Sequence, residues 1–187
     1  MQKLIVAASF VLLTALVACG PAPATETAEV AQATVADENV ATVVPAESFT
    51  ASDRQELDAV LAKIRAGDEV FAGLPNPPLG MCVGEDETLC RYEQLKGVRD
   101  WKEAFDGDYG AQRNVAYCLT TGCNGLRPDQ VQGCAWRLVI IDAADPEMGQ
   151  GDVMNTETEC GQLSPTARAA AASHAARLAE TIQRQAT

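Results

Sequence analysis

The sequence predicts an all-α domain that is stabilised by disulfide bonds. Apolar residues recur at spacings of three and four in several segments, which is the period of an amphipathic helix. No segment shows the apolar–polar alternation of a β-strand, and the 187-residue chain carries seven cysteines. We therefore expect a helical domain over residues 50–187, preceded by segments of different character.

The first helix is expected to begin near residue 50. Thr50 or Ser52 can cap it, and Ser52 with Gln55 matches a capping-box pattern. One helical face is then apolar, through Leu57, Val60, Leu61 and Ile64. Gly67 is typical of the residue that follows a helix.

Residues 73–90 are expected to be irregular because glycines and prolines interrupt most of the segment. A second amphipathic helix is predicted over roughly 91–105, although Gly97 lowers its helix propensity. Its apolar positions are Tyr92, Leu95, Val98, Trp101 and Phe105.

Four more helices follow in the prediction. One covers 111–121, and another opens at Pro128-Asp129. A short helix is expected from Asp152 to about Cys160. The last begins at Ser164-Pro165, a capping residue followed by proline at the first helical position.

Six cysteines fall within the predicted domain: Cys82, Cys90, Cys118, Cys123, Cys134 and Cys160. An even number in an exported domain indicates disulfides, with 15 possible pairings. Our provisional pairing is Cys82–Cys90, Cys118–Cys123 and Cys134–Cys160, of which the last two could exchange partners. A metal site is disfavoured, because no CxxC pair is present and His174 is the only histidine.

The start of the chain is typical of an exported protein. Lys3 precedes an apolar run from Leu4 to Ala18, which is shorter than the roughly 20 residues that span a bilayer. Leu16-Val17-Ala18-Cys19 resembles the bacterial lipobox. This resemblance implies that residues 1–18 are a signal peptide, that acyl chains are attached to Cys19, and that the chain is anchored to a membrane. Resemblance to the sorting rules of Gram-negative lipoproteins implies, from Gly20 after the cysteine, the outer membrane with the domain facing the periplasm.

Residues 19–49 are predicted to be a disordered acidic tether. The stretch 20–49 has five acids and no base, is rich in alanine, threonine and proline, and shows no steady period. The whole chain has a formal charge of −12. Such a charge repels phosphate backbones, so nucleic-acid binding is not expected.

Residues 108–143 resemble one Sel1-like repeat, a helix–turn–helix unit of the TPR-related solenoids. That pattern runs Ala-x-x-x-Leu-Gly-x-x-Tyr, a glycine turn, Asp, then Ala-x-x-Trp. The matching positions here are Ala111, Val115, Ala116, Leu119, the turn 122–126, Asp129, Gly133 and Trp136. Leu119 replaces the usual tyrosine, and the turn is one residue longer. The small residues Ala116 and Gly133 are expected to let the two helices approach closely.

The resemblance implies a short helical hairpin array with flanking helices, because one such unit cannot bury its apolar face alone. It also implies a protein-interaction module. A binding groove on the repeat helices is expected to use arginine and aromatic anchors, the candidates being Arg113, Tyr117, Trp136 and Arg137. For Trp136 a core position is nonetheless the preferred interpretation.

The expected function is that of a lipid-anchored scaffold that contacts another envelope protein, without a cofactor. No GxSxG, P-loop or HExxH motif and no Ser-x-x-Lys pattern occurs, so no catalytic residue is assigned. Two alternatives stay open. One is an envelope enzyme that acts on cell-wall material, and the other is a structural lipoprotein without a specific ligand.

Overall fold

The computed structural model describes residues 49–83 and 86–187. Within these ranges the chain forms six helices and no β-strand. The helices are α1 (Ala51–Ala66), α2 (Glu87–Phe105), α3 (Tyr109–Thr121), α4 (Gln130–Ala143), α5 (Gln150–Gly161) and α6 (Pro165–Gln185). The predicted signal peptide, Cys19 and all of the predicted tether except its last residue lie outside the described residues.

Four helices begin at side-chain caps. The Thr50 hydroxyl accepts a hydrogen bond from the Asp53 N–H at 3.2 Å, so the capping box is formed by this pair rather than by Ser52 with Gln55. Asp129 before α4 and Ser164 before α6 are the predicted caps, whereas Asp108 caps α3, which begins at Tyr109 and so before its predicted start at 111. Each satisfies an N–H of the first turn that has no partner within the helix.

Helix α2 begins four residues before its predicted start at about 91, and it includes Cys90. Its first turn carries mostly polar side chains, so the apolar periodicity that marked the helix starts only at Tyr92. Gly97 lies in the interior of α2 for a packing reason. A Cβ atom there would lie 2.2 Å from the carbonyl oxygen of Asn124, in the turn that connects α3 to α4.

Helices α3 and α4 form a hairpin around a close contact. A Cβ atom on Gly133 of α4 would lie 2.6 Å from the Thr120 hydroxyl of α3 and 3.2 Å from the Ala116 carbonyl. The expected close approach at these small residues is therefore present. The disulfide Cys118–Cys123 closes the turn, and Asn124 and Gly125 on that turn pack against α2.

The centre of the core is a cluster of three aromatic rings. Trp136 of α4 lies edge-on to Trp101 and Phe105 of α2, with ring centroids 6.0 and 5.1 Å apart. Helix α4 also contacts α3, α5 and α6, so it is covered by three other helices. All three rings are 2% exposed or less, and their burial makes this cluster a major source of stability.

Helix α1 packs against α2 through a smaller apolar patch. Leu57 and Leu95 are buried there together with Phe49, whose ring also lies under the Arg54 guanidinium at 5.0 Å. Phe49 is the last residue of the predicted tether. Its burial places the beginning of the folded part at least one residue earlier than residue 50.

The structure forms three disulfides, and they are the provisional pairs. Cys82–Cys90 joins the segment before α2 to its first turn, Cys118–Cys123 closes the hairpin turn, and Cys134–Cys160 links α4 to α5. The prediction of a helical domain with disulfide bonds is confirmed for the described residues. Gly84 and Glu85, between the first two cysteines, are outside the described residues.

Candidate functional site

A polar groove of about 340 Å³ lies between α3, α4 and α5. We call it the α3–α5 groove. Its lining residues are Gly110, Arg113, Asn114, Tyr117, Arg137 and Asn155. Three of the four residues proposed as binding anchors from the sequence therefore line one concave surface.

The fourth candidate, Trp136, is not part of the groove. Its side chain is 0% exposed and belongs to the aromatic cluster with Trp101 and Phe105. Neighbouring residues on a helix point about 100° apart, so Trp136 enters the core while Arg137 faces α5. Of the two sequence interpretations of Trp136, the structure selects the core.

One face of α3 provides most of the groove. Gly110, Arg113, Asn114 and Tyr117 follow each other at spacings of three, one and three, which places them along the same side of a helix. The opposite side of α3 carries Val115 and Leu119, and both are fully buried. The apolar periodicity that buries one side of α3 thus also determines which residues line the groove.

Arg137 lies at the bottom of the groove and is only 3% exposed. Its Nε and Nη2 atoms donate to the two carboxylate oxygens of Glu159 at 3.0 and 2.8 Å. The Thr120 hydroxyl donates to Glu159 as well, at 3.0 Å. This bidentate geometry holds the guanidinium in one orientation. Among the described residues Nη1 of Arg137 has no hydrogen-bond partner.

Arg113 forms the upper edge of the groove beside a second carboxylate. Its Nε lies 2.9 Å from Oδ1 of Asp152 as an ion pair, without a hydrogen bond between the two atoms. The guanidinium also lies over the ring of Tyr109, 5.5 Å from the centroid. The Tyr109 hydroxyl donates to Oδ2 of Asp152 at 2.6 Å.

These contacts shift two pKa values. Burial raises the pKa of Asp152, but the Tyr109 hydroxyl, the Gly149 N–H and the charge of Arg113 lower it by more, so that it lies below its ordinary 3.8. The hydrogen bond to Asp152 raises the pKa of Tyr109 above its ordinary 10.0, and burial adds to this. Asp152 is therefore ionised and Tyr109 is neutral at pH 7.

Sequence analysis does not identify Asp152 and Glu159 as members of this site. They are seven residues apart on α5, so both lie on one side of that helix. This spacing is visible in the sequence. It becomes informative only when α5 is known to pack beside α3 and α4, where each carboxylate meets an arginine.

The groove presents several groups that can hydrogen-bond to a ligand. Both carboxylates are engaged by arginines, and Arg113 and Arg137 keep guanidinium nitrogens that can donate to a ligand. Asn114 and Asn155 add amide groups, and Tyr117 is 55% exposed. Carbonyl and carboxylate oxygens are the natural partners of such donors.

His174 lies on α6, half-buried, in a separate pocket. It makes no hydrogen bond to any described residue. The six cysteines of the domain are all in disulfides. No group of three or more side chains among the described residues is placed to hold a metal ion.

No described helix combines the length and the apolar character needed to cross a membrane. In comparisons with known proteins, no family model, no curated protein and no solved structure matches the chain.

Proposed function

We propose that this chain is a lipid-anchored protein of the bacterial cell envelope that binds another envelope protein through the α3–α5 groove. The anchor is proposed from the sequence Leu16-Val17-Ala18-Cys19 behind a short apolar run. Lipid on Cys19 would hold the chain at a membrane, and Gly20 favours the outer membrane with the domain in the periplasm.

The observation that carries the binding proposal is the position of Tyr117 and Arg113. Both lie on the outer face of α3, and their side chains are 55% and 47% exposed. Tyrosine and arginine are the residue types most enriched among the energetic anchors of protein interfaces. Here they border a concave surface instead of standing isolated, so one partner segment can contact both.

The groove is also pre-organised. The buried pair of Arg137 with Glu159 and the contacts of Arg113 with Asp152 fix both guanidinium groups before any partner arrives. Fixing side chains in advance reduces the entropy that binding loses. We propose that the partner inserts a side chain with a carboxylate or amide oxygen into the groove, towards the free nitrogens of these arginines.

A Sel1-like unit formed by α3 and α4 remains part of this proposal. It is supported by the close contact at Gly133, by Trp136 between neighbouring helices and by Asp129 as the cap of α4. Helices α5 and α6 would then cover the hairpin as a degenerate second pair.

The binding proposal is tested by photo-crosslinking in intact cells. The photo-reactive residue p-benzoylphenylalanine replaces Tyr117 in one strain and Ala172, an exposed residue of α6, in the control strain. We expect one protein adduct from position 117 and none of the same mass from position 172. Equal patterns from both positions, or no adduct from position 117, would contradict the proposed groove.

The anchor is tested separately by Cys19→Ala. Without the thiol no lipid can be attached, so we expect an unprocessed precursor or a mislocalised protein. Membrane fractionation with immunoblotting measures this. A Cys19→Ala chain that is cleaved and still fractionates with the membrane would contradict the lipid anchor.

A further inference from the structure

A second concave surface lies apart from the α3–α5 groove. This α6 pocket has a volume of about 430 Å³ and is formed by α6, the first turn of α4 and residues 75–78. Its size is in the range of small-molecule sites. None of its lining residues belongs to the α3–α5 groove.

The residues that line the α6 pocket differ in charge from the chain as a whole. The whole chain has 26 acidic and 14 basic residues, yet no aspartate or glutamate is among the described residues that line this pocket. Its charged or ionisable members are Arg177 and His174. An anionic ligand therefore meets no like charge within the pocket, which is unusual on such an acidic surface.

Arg177 and His174 are placed to act together. They are three residues apart on α6, so their side chains lie on one face of the helix. Neither side chain has a hydrogen bond or an ion pair with any described residue. Arginine presents a planar set of N–H donors that fits a carboxylate, and a histidine ring carries at least one N–H in either protonation state.

Apolar residues form part of the remaining lining, and hydrogen bonds hold one side of the pocket in place. Pro75, Pro78 and Leu178 supply apolar surface. The indole N–H of the buried Trp101 donates to the Pro75 carbonyl at 2.8 Å. The Asn76 side chain accepts from the Val70 N–H and donates to the Asp68 carbonyl, both at 2.8 Å. The segment that forms one side of the pocket is thus fixed without a ligand.

Gln132 adds one directional contact. Its Nε2 donates to Asp129 at 3.0 Å, which leaves Oε1 without a donor among the described residues. That oxygen can accept from an amide N–H. The pocket then offers an acceptor for an amide, donors for a carboxylate and an apolar surface for a side chain.

We propose that the α6 pocket binds a carboxylate attached to an apolar group, with the carboxylate held by Arg177 and His174. Two sources have this chemistry: a free N-acylated apolar amino acid and the C-terminal residue of a peptide. The site is independent of the α3–α5 groove and of the function proposed for it.

The test is calorimetric titration of the full-length protein with matched pairs of probes. The first pair is N-acetyl-leucine and N-acetyl-leucinamide. The second is the peptide acetyl-Gly-Ala-Leu with a free or an amidated C-terminus. We expect the free acid of at least one pair to bind roughly tenfold more tightly than its amide, as expected for loss of a charge-assisted hydrogen bond. If only N-acetyl-leucine binds, the ligand is a small acid. If the tripeptide acid binds more tightly than N-acetyl-leucine, the ligand is the C-terminal residue of a peptide.

Arg177→Gln should abolish the preference for the free acid. Arg168→Gln is the matched control, because Arg168 is exposed on the same helix but does not line the pocket. Circular dichroism melting of both variants verifies that the fold is kept. The proposal is overturned if acid and amide bind equally, if no probe binds, or if Arg177→Gln and Arg168→Gln leave the same affinity.

Discussion

The inner and outer sides of the α3–α4 hairpin differ in what their side chains contact. On the inner side Val115, Leu119 and Trp136 are fully buried against apolar neighbours. On the outer side Arg113 and Tyr117 are exposed, and Arg137 is buried with its charge paired to Glu159. The same two helices therefore stabilise the fold with one side and present ordered polar groups with the other. Substitutions on the two sides should separate stability from binding.

The largest expected effect is that of Trp136→Ala on the inner side. Removing the ring leaves a cavity between Trp101 and Phe105, and such truncations lower the free energy of unfolding by about 3–5 kcal/mol. Tyr117→Ala on the outer side is the comparison and should change it by less than about 0.5 kcal/mol. Denaturant unfolding measures both. Similar losses for the two variants would contradict the division between the sides.

The next effect concerns the bond between the hairpin and α5. Cys134–Cys160 spans 26 residues, so its removal by the double substitution to alanine should lower stability by ~3.5 kcal/mol. Cys82–Cys90 spans 8 residues, and its removal should lower stability by ~2.5 kcal/mol. Thermal unfolding of the two double variants gives the order. A larger loss for the shorter loop would show that chain entropy does not dominate here.

Breaking the ion pair at the bottom of the groove should have an effect between those of the two disulfides. Glu159→Leu leaves the buried Arg137 without its partner, which should lower the free energy of unfolding by about 3 kcal/mol. The double variant Arg137→Met/Glu159→Leu should recover most of this loss because no charge is then stranded. A double-mutant cycle in urea measures the recovery. If the stability loss of the double variant equals the sum of the losses of Arg137→Met and Glu159→Leu, the two side chains do not act as a pair.

The smallest effect is a dependence of stability on acid pH. The pKa of Asp152 is lowered in the folded state, so its contribution is present above the ordinary 3.8 and is lost as the pH falls through the folded value. Asp53 behaves likewise, because hydrogen bonds from Thr50 lower its pKa to about 2. Melting temperatures should decline below about pH 4.

The variants Asp152→Asn and Asp53→Asn separate the two contributions to this decline. Each should melt lower than the unchanged protein at pH 6 and approach it at pH 2. A gap that is the same at both pH values would mean that the carboxylate charge is not what stabilises the fold.

Much of the fold could be predicted because each helix has local signals. Asp129 before α4 and Ser164-Pro165 before α6 mark helix starts through hydrogen bonds that form within a few residues. The start of α2 was missed because its first turn is polar. Local sequence signals do not separate Phe49 from the tether, because the residues that bury it lie further along the chain. Leu57 is on α1, and Leu95 is on α2.

The site was predictable only in part, for a related reason. Arg113, Tyr117 and Arg137 were identified from residue type and from the expected hairpin. Asp152 and Glu159 were missed because their role depends on how α5 packs on the hairpin, and no local pattern in the sequence determines that. Trp136 had two acceptable roles in the sequence, and only the burial of its ring separates them.

The central claim is that the exposed residues of the outer side, Arg113 and Tyr117, bind a partner without being needed for the fold. The most direct measurement replaces Arg113 by glutamine in the strain that carries the crosslinker at position 117, with adduct yield and melting temperature recorded for the same protein. The account predicts that the adduct is largely lost while the melting temperature stays within a few degrees. An unchanged adduct yield in a fully folded variant would contradict it.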